Sequence, residues 1–147
     1  MEKSITSFCE DFRQLFDLKE PDARAYSPLT LAYLGDAVYE LIIRTIIVEQ
    51  ANAPVNKLHK RSSTLVKAAA QAEMIRKLEP ILTPEEAAVY KRGRNAKSYT
   101  VAKNATMTDY RMATGFEALV GYLYLKREYE RILALVQAGL ADNGNIQ

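Results

Sequence analysis

The sequence has little of what several common classes of protein require. It contains one cysteine and one histidine among 147 residues, so it can form no internal disulfide framework and has no cysteine and histidine spacing typical of a zinc site. No apolar run approaches the roughly 18 residues needed to cross a bilayer. The N-terminus carries Glu2, Glu10 and Asp11 in place of the basic and apolar regions of a secretory signal. These absences predict a cytoplasmic protein without a membrane anchor.

What the sequence does contain is helical periodicity over almost its whole length, with no stretch of the strict alternation typical of a strand. Hydrophobic residues make up 48% of the chain, which fits one core in a single domain over residues 1–147. We therefore predict an all-α fold. Its predicted helices cover residues 4–16, 28–49, 55–78, 84–92, 109–125 and 128–140, and Ser27 and Thr83 are the predicted N-caps of the second and fourth. The helix over 28–49 is apolar nearly all round, which predicts that it is buried at the centre.

Positive charge is concentrated in two windows that contain no acidic residue, although the net charge is only +2. The bases are Lys57, Lys60, Arg61 and Lys67 in window 51–72, and Lys91, Arg92, Arg94, Lys97 and Lys103 in window 87–108. Each Lys or Arg placed on a phosphate releases condensed counterions and adds salt-dependent affinity. The two windows therefore favour a nucleic acid as the partner.

Each basic window also has a simpler interpretation. A helix through the first window would place Lys57, Lys60, Arg61, Thr64 and Gln71 on one face, which is either a nucleic-acid contact or an ordinary solvated face. The second window includes a predicted basic connection over residues 93–98, where Asn95 and Ser98 add groups able to contact phosphate, sugar or base edges. Its alternative is an ordinary surface loop.

Two carboxylates stand inside otherwise apolar segments. Asp36 lies in the run Leu34 to Val38, and Glu117 lies in the run from Gly115 to Tyr122. An isolated carboxylate removed from water is normally protonated, paired with a base or bound to a metal. Two of them in one small domain indicate a shared cation.

Small residues beside both acids favour a close crossing of their two helices. Gly35 adjoins Asp36, and Gly121 lies one helical turn after Glu117. A crossing there would bring the two carboxylates together, and hard oxygen ligands of this kind suit Mg²⁺, with Mn²⁺ as a substitute. The alternative is a pair of structural ion pairs with bases such as Arg44, Arg111 or Lys126.

Three segments resemble the catalytic domain of the ribonuclease III family. They are residues 32–40 (AYLGDAVYE), 92–97 (RGRNAK) and 110–125 (YRMATGFEALVGYLYL). Their content and order are similar to Mini-ribonuclease III, the short bacterial branch of that family. The resemblance spans roughly residues 27–131.

The resemblance implies a metal-dependent endoribonuclease that acts as a homodimer on double-stranded RNA and leaves 5′-phosphate and 3′-hydroxyl ends. Asp36 and Glu117 take the positions of catalytic metal ligands. The described role of this branch is the maturation of large-subunit (23S) ribosomal RNA ends. No separate double-stranded RNA-binding domain is expected, so the RNA contacts fall to Lys57, Lys60, Arg61, Arg92, Arg94, Asn95, Lys97 and Lys103. Exposed apolar surface on the helix over 28–49 or over 109–125 is the candidate dimer contact.

The sequence departs from the usual ribonuclease III pattern at two positions. A glutamate usually stands four residues before the aspartate and an aspartate three residues before the glutamate, whereas this chain has Ala32 and Thr114. Both substitutions belong to the Mini-ribonuclease III pattern, which favours a modified site over an inactive one. Glu40 or Asp109 is the candidate to compensate. The alternative function is a catalytically inactive RNA-binding or ribosome-associated protein on the same fold.

Overall fold

The computed structural model describes residues 5–97 and 106–141, with side chains from Phe8 onward. In that part of the chain all regular structure is helical, which confirms the predicted all-α fold. The α-helices are α1 (Ile5–Leu15), α2 (Pro28–Gln50), α3 (Val55–Val66), α4 (Ala68–Leu78), α5 (Pro84–Asn95), α6 (Met107–Leu125) and α7 (Tyr129–Leu140), with short 3-10 helices at Ala23–Ala25 and Glu79–Ile81. None of these helices has the length and apolar character required to span a membrane.

The predicted helix starts at Pro28 and Pro84 are confirmed. The Ser27 hydroxyl accepts a hydrogen bond from the backbone N–H of Thr30 at 3.2 Å, which caps α2. At the start of α5, the Thr83 hydroxyl accepts from the Glu86 N–H at 3.1 Å, and the Glu86 carboxylate accepts from the Thr83 N–H at 2.9 Å. This reciprocal capping satisfies two N–H groups that have no partner inside the helix.

The predicted helix over 55–78 is wrong in one respect, because it is two helices. Lys67 has φ −66° and ψ 156°, an extended conformation that ends α3 and begins α4. The Val66 carbonyl accepts instead a 2.8 Å hydrogen bond from Nε2 of Gln71. Alanines at positions 68–70 favour a continuous helix, but tertiary contacts override that local preference.

The predicted basic connection over residues 93–98 is also corrected in part. Helix α5 continues to Asn95, so Gly93, Arg94 and Asn95 are helical. Gly93 packs against α6, and a Cβ at this position would lie 2.8 Å from Cβ of Ala118 and 2.9 Å from Cα of Gly115. The glycine therefore permits a close helix contact and does not end the helix.

Helix α6, not α2, is the central element of the core. Eleven of the twelve residues from Met112 to Leu123 are buried, so α6 is enclosed around its whole circumference there. Helix α2 buries only one face. The other face of α2 leaves Tyr33 83%, Leu41 62% and Val48 53% exposed. The prediction that α2 is buried nearly all round is wrong, because its apolar residues serve two faces and only one faces α6.

Helices α2 and α6 cross at a pair of glycines, as their spacing predicts. A Cβ on Gly35 would overlap the carbonyl oxygen of Glu117 and lie 2.7 Å from the Gly121 nitrogen, and a Cβ on Gly121 would overlap the Leu31 carbonyl. Beside this crossing, the rings of Tyr39 and Phe116 pack edge to face at 5.3 Å. The backbones of the two helices are therefore in direct contact at the segment that carries both predicted acids.

Candidate active site

The α2–α6 crossing brings Asp36 and Glu117 together. Gly35, the residue before Asp36, lies directly against the Glu117 backbone. The Asp36 carboxylate is close enough to the Glu117 side chain to raise its pKa. Asp36 itself is exposed, so the expectation that both acids are removed from water is wrong for this residue, while Glu117 is half-buried. The pair has one carboxylate open to solvent and one inside the protein.

Glu117 has an unusually high affinity for a proton. Burial and, after it, the negative charges of Asp36 and Glu40 together raise the pKa of Glu117 to about 8, although a hydrogen bond from an N–H of Gln71 opposes the shift. Two carboxylates that share one site disfavour each other's charged form. A proton or a bound cation would relieve that repulsion, so this arrangement has the electrostatics of a cation site.

Gln71 is a member of this site that sequence reasoning missed. The sequence prediction placed it on the basic face with Lys57 and Lys60, but it lies on α4 and only 2% of it is exposed. Its Nε2 lies 3.4 Å from Oε2 of Glu117. The sequence carries one signal of this role, which is a polar residue within an alanine-rich run. Its direction toward Glu117 depends on the break between α3 and α4 at Lys67.

The bases that could have neutralised the two acids are placed elsewhere. Nη2 of Arg44 lies 3.0 Å from Oε1 of Glu40, and Nζ of Lys126 lies 2.9 Å from Oε2 of Glu85. Arg111 is exposed. Across residues 8–97 and 106–141, no ion pair includes Asp36 or Glu117. The structural ion-pair interpretation of the two acids is therefore not supported.

Neither candidate for a compensating acid is free. Glu40 lies one turn from Asp36 and pairs with Arg44. Asp109 pairs with Arg76 at 3.4 Å, and its eight-residue separation from Glu117 on α6 corresponds to about 12 Å along the helix axis. Both carboxylates already have a basic partner.

The positions that depart from the ribonuclease III pattern contribute no carboxylate. Ala32 is buried on α2, and Thr114 is buried on α6 with its hydroxyl donating to the Tyr110 carbonyl at 3.0 Å. Within the described part of the chain, no group of three or more His, Cys, Asp or Glu side chains is placed to share one metal ion. The site consists of two carboxylates and the Gln71 amide.

The basic residues of α3 share one groove. Lys57, Lys60 and Arg61 line it together with Thr64, over a floor of Ile47 and Leu65. Lys57 and Lys60 are exposed, and Nη2 of Arg61 donates to Oε1 of Gln50 at 3.2 Å. These four α3 residues of the predicted face therefore lie together on one surface. Their contact with nucleic acid stays a prediction.

The basic end of α5 lies beside the two acids along α6. Gly93 packs on Ala118, the residue after Glu117. Arg92 and Lys97 are exposed, and the Arg94 guanidinium lies over the Tyr90 ring at 5.6 Å with Nε 3.3 Å from Oδ1 of Asn95. Lys103 and Ser98 lie outside the described residues. Positive charge thus borders the α6 segment that carries Glu117.

Comparison with known proteins agrees with this architecture. The family model described as "Ribonuclease III domain" matches residues 29–128. The chain is 53% identical over 117 residues to Mini-ribonuclease 3 of Clostridium tetani, covering 79% of this chain and 78% of the relative. It is 48% identical over 137 residues to Mini-ribonuclease 3 of a Thermoanaerobacter species, covering 93% of this chain and 94% of the relative.

A solved structure agrees with the fold as well. A crystal structure of a Fusobacterium nucleatum protein superposes with a TM-score of 0.72 at 34% identity, covering 79% of this chain and 93% of that one. The family match over residues 29–128 includes both acidic segments. The chain therefore belongs to the Mini-ribonuclease III branch of the ribonuclease III family and is an endoribonuclease.

Proposed function

We propose that this endoribonuclease hydrolyses phosphodiester bonds of double-stranded RNA with a divalent cation held between Asp36 and Glu117. The observation that carries the proposal is the convergence of these two acids at the α2–α6 crossing, where no basic side chain of the described residues pairs with them. The names of its relatives give the reaction class as ribonuclease.

The residues of the site fit Mg²⁺, and Mn²⁺ as its substitute. Mg²⁺ is usually bound through one or two carboxylates and keeps several waters or substrate phosphate oxygens. Asp36 and Glu117 supply two carboxylates, and Oε1 of Gln71 is a buried acceptor without a hydrogen-bond partner. A bound divalent cation would activate water and stabilise charge on the phosphate oxygens.

The protein's own residues have distinct tasks in this scheme. Asp36 is exposed and faces the side from which a large substrate can approach, whereas Glu117 is half-buried and backed by α4. Glu117 holds a proton near neutral pH because burial raises its pKa to about 8. Glu117 would have to release that proton to hold a cation, since metal ligands must be deprotonated.

RNA is held through its backbone. A-form duplexes expose phosphates and 2′-hydroxyls more readily than base edges, so recognition depends chiefly on shape. The groove of α3 and the basic end of α5 supply exposed cations for this purpose. The biological substrate in this proposal is the precursor of large-subunit (23S) ribosomal RNA, whose ends the enzyme matures.

Replacing Arg92, Arg94 and Lys97 together by Ala weakens duplex RNA binding and lowers its salt dependence. Loss of three phosphate contacts reduces the slope of log affinity against log salt by roughly 2 to 3. Filter binding at several salt concentrations measures this slope. Lys19→Ala, on the exposed segment after α1, is the control and should keep the parental slope. An unchanged slope in the triple variant would show that these residues do not contact phosphate.

The enzyme is a homodimer that uses the exposed apolar face of α2. Tyr33, Leu41 and Val48 recur on that face at helical spacing, and an apolar face of this kind is typical of a protein interface. Asp36 lies three residues after Tyr33. Pairing of two chains there would bring two active sites to one shared surface, as cleavage of both strands of a duplex requires.

Introducing two charges into this face should separate the subunits. Tyr33→Glu combined with Leu41→Glu buries uncompensated carboxylates in the interface, which costs several kcal/mol. Light scattering on a sizing column is expected to report two chains for the parent protein and one for the variant. Leu15→Glu, at an exposed apolar residue of α1, is the control and should remain dimeric. A double variant that also remains dimeric would place the interface elsewhere.

Cleavage of an end-labelled RNA duplex tests the proposed reaction. The same strand is presented alone and annealed to its complement, with Mg²⁺ and with a chelator. The proposal requires cuts in the duplex only, with Mg²⁺ only, leaving 5′-phosphate ends. Duplex binding without cleavage in any divalent metal would instead favour a catalytically inactive RNA-binding protein.

A further inference from the structure

The side-chain amide of Gln71 makes hydrogen bonds through its nitrogen and none through its oxygen. Gln71 is 2% exposed, and its Nε2 donates to the Val66 carbonyl at 2.8 Å and faces Oε2 of Glu117 at 3.4 Å. Its Oε1 is buried and has no hydrogen-bond partner. Buried polar atoms are seldom left unpaired, so an unpaired one beside two acids calls for an explanation.

The surroundings fix which way this amide points. A backbone carbonyl can only accept hydrogen bonds, so the amide end that faces Val66 must be the NH₂ group. The carbonyl is available because the extended conformation of Lys67 ends α3 there, and the last carbonyls of a helix lack a partner within it. The break between α3 and α4 thus sets the amide so that its second N–H points toward Glu117.

The same contact restricts the Glu117 side chain. Glu117 is a flexible residue that must keep its carboxylate near Asp36, although the two charges repel. The hydrogen bond from Gln71 favours the charged form of the Glu117 carboxylate and lowers its pKa, whereas the contact with Asp36 raises it. Glu40 and Asp109, which could have supported the site, pair with Arg44 and Arg76.

We propose that Gln71 is the positioning residue of the cation site, an inference that rests on the proposed function. Its Nε2 holds the Glu117 carboxylate toward Asp36, and its unpaired Oε1 offers an acceptor for a water of the cation's hydration shell. This amide, and not Glu40 or Asp109, compensates for Ala32 and Thr114. Groups that orient metal ligands typically change metal affinity 10- to 100-fold when removed.

Binding of Mn²⁺ to the RNA-free protein tests this role. Gln71→Met keeps the length of the side chain and removes both ends of the amide. Calorimetric titration should show roughly 10- to 100-fold weaker Mn²⁺ binding than in the parent protein. Gln137→Met, at an exposed glutamine of α7, is the matched control and should bind Mn²⁺ as the parent does. Cleavage by Gln71→Met should lose kcat with KM for duplex RNA unchanged, because a buried Gln71 does not touch RNA.

The outcomes separate this inference from the proposed function. Parent binding that is lost in Asp36→Asn and weakened in Gln71→Met supports both. Parent binding lost in Asp36→Asn but unchanged in Gln71→Met overturns the role of Gln71 and leaves the proposed function intact. Binding unaffected by Asp36→Asn overturns both. If Gln71→Met does not fold, Gln71→Leu, which has a similar size and helix propensity and a different shape, is titrated in its place with the same expectations.

Discussion

Asp36→Asn is expected to reduce cleavage of duplex RNA by about 10³-fold or more, with the fold and RNA affinity retained. The substitution keeps the shape of the side chain but removes the negative charge that pairs with the cation. Loss of about 4 kcal/mol of transition-state stabilisation corresponds to that factor. Single-turnover cleavage with saturating Mg²⁺ measures it.

The position of Asp36 allows an effect on cleavage to be distinguished from an effect on folding. Because Asp36 is exposed, has no ion pair within the described residues and repels the Glu117 carboxylate, the asparagine variant should fold with a Tm in chelator no lower than that of the parent. Asp11→Asn, at an exposed acid of α1, controls for loss of one negative charge and should cleave normally. A folded Asp36→Asn protein that cleaves at the parental rate would refute the assignment of this residue.

Gly35→Ala is expected to destabilise the protein by about 3 kcal/mol or more, which lowers Tm by roughly 10 °C. Alanine is the better helix former by up to about 1 kcal/mol, so propensity alone predicts the opposite sign. The new Cβ would overlap the Glu117 carbonyl and lie 2.7 Å from the Gly121 nitrogen. Neither atom can move away without separating α2 from α6. Gly121→Ala, which would meet the Leu31 carbonyl, should behave alike.

A third glycine provides the control for this prediction. A Cβ on Gly139 would meet chiefly the flexible end of Met74, at 2.6 Å from its Cε. Met side chains adapt readily to small changes in packing. Gly139→Ala should therefore change the free energy of unfolding by no more than about 1 kcal/mol. If urea unfolding showed equal losses in the free energy of unfolding for Gly35→Ala and Gly139→Ala, the α2–α6 crossing would not be unusually tight.

Local signals in the sequence were sufficient to predict the helix starts and the crossing. Ser27 and Thr83 carry their own capping chemistry within a few residues, and caps depend little on the rest of the fold. Gly35 and Gly121 predicted the crossing because a glycine inside an apolar helix usually allows another element to pack closely against it. The convergence of Asp36 and Glu117 followed from those glycines.

Features that depend on contacts between distant segments could not be predicted in this way. The break at Lys67 lies in a run with high helix propensity, and it is accompanied by a hydrogen bond from Gln71 to the Val66 carbonyl. The role of Gln71 depends on that break. The open face of α2 was missed because apolar residues that face a core and apolar residues that face solvent or a partner give the same pattern.

The close crossing of α2 and α6 connects stability with function. The glycines that allow contact between the two backbones also bring together two carboxylates that repel each other. A bound cation would relieve that repulsion, so cation binding to the folded state should stabilise the protein. In the proposed function, the repulsion that makes the metal-free site unfavourable is the feature that a bound cation would relieve.

The most direct test of the central claim compares parent protein and Glu117→Gln on one end-labelled RNA duplex, each with Mg²⁺ and with chelator. Glutamine preserves the contact region at the crossing and removes the charge. A cation site at these two acids requires that the parent cleaves with Mg²⁺, that the parent does not cleave in chelator, and that Glu117→Gln cleaves in neither condition. Cleavage by Glu117→Gln at the parental rate, or by the parent in chelator, would contradict a cation site built from Asp36 and Glu117.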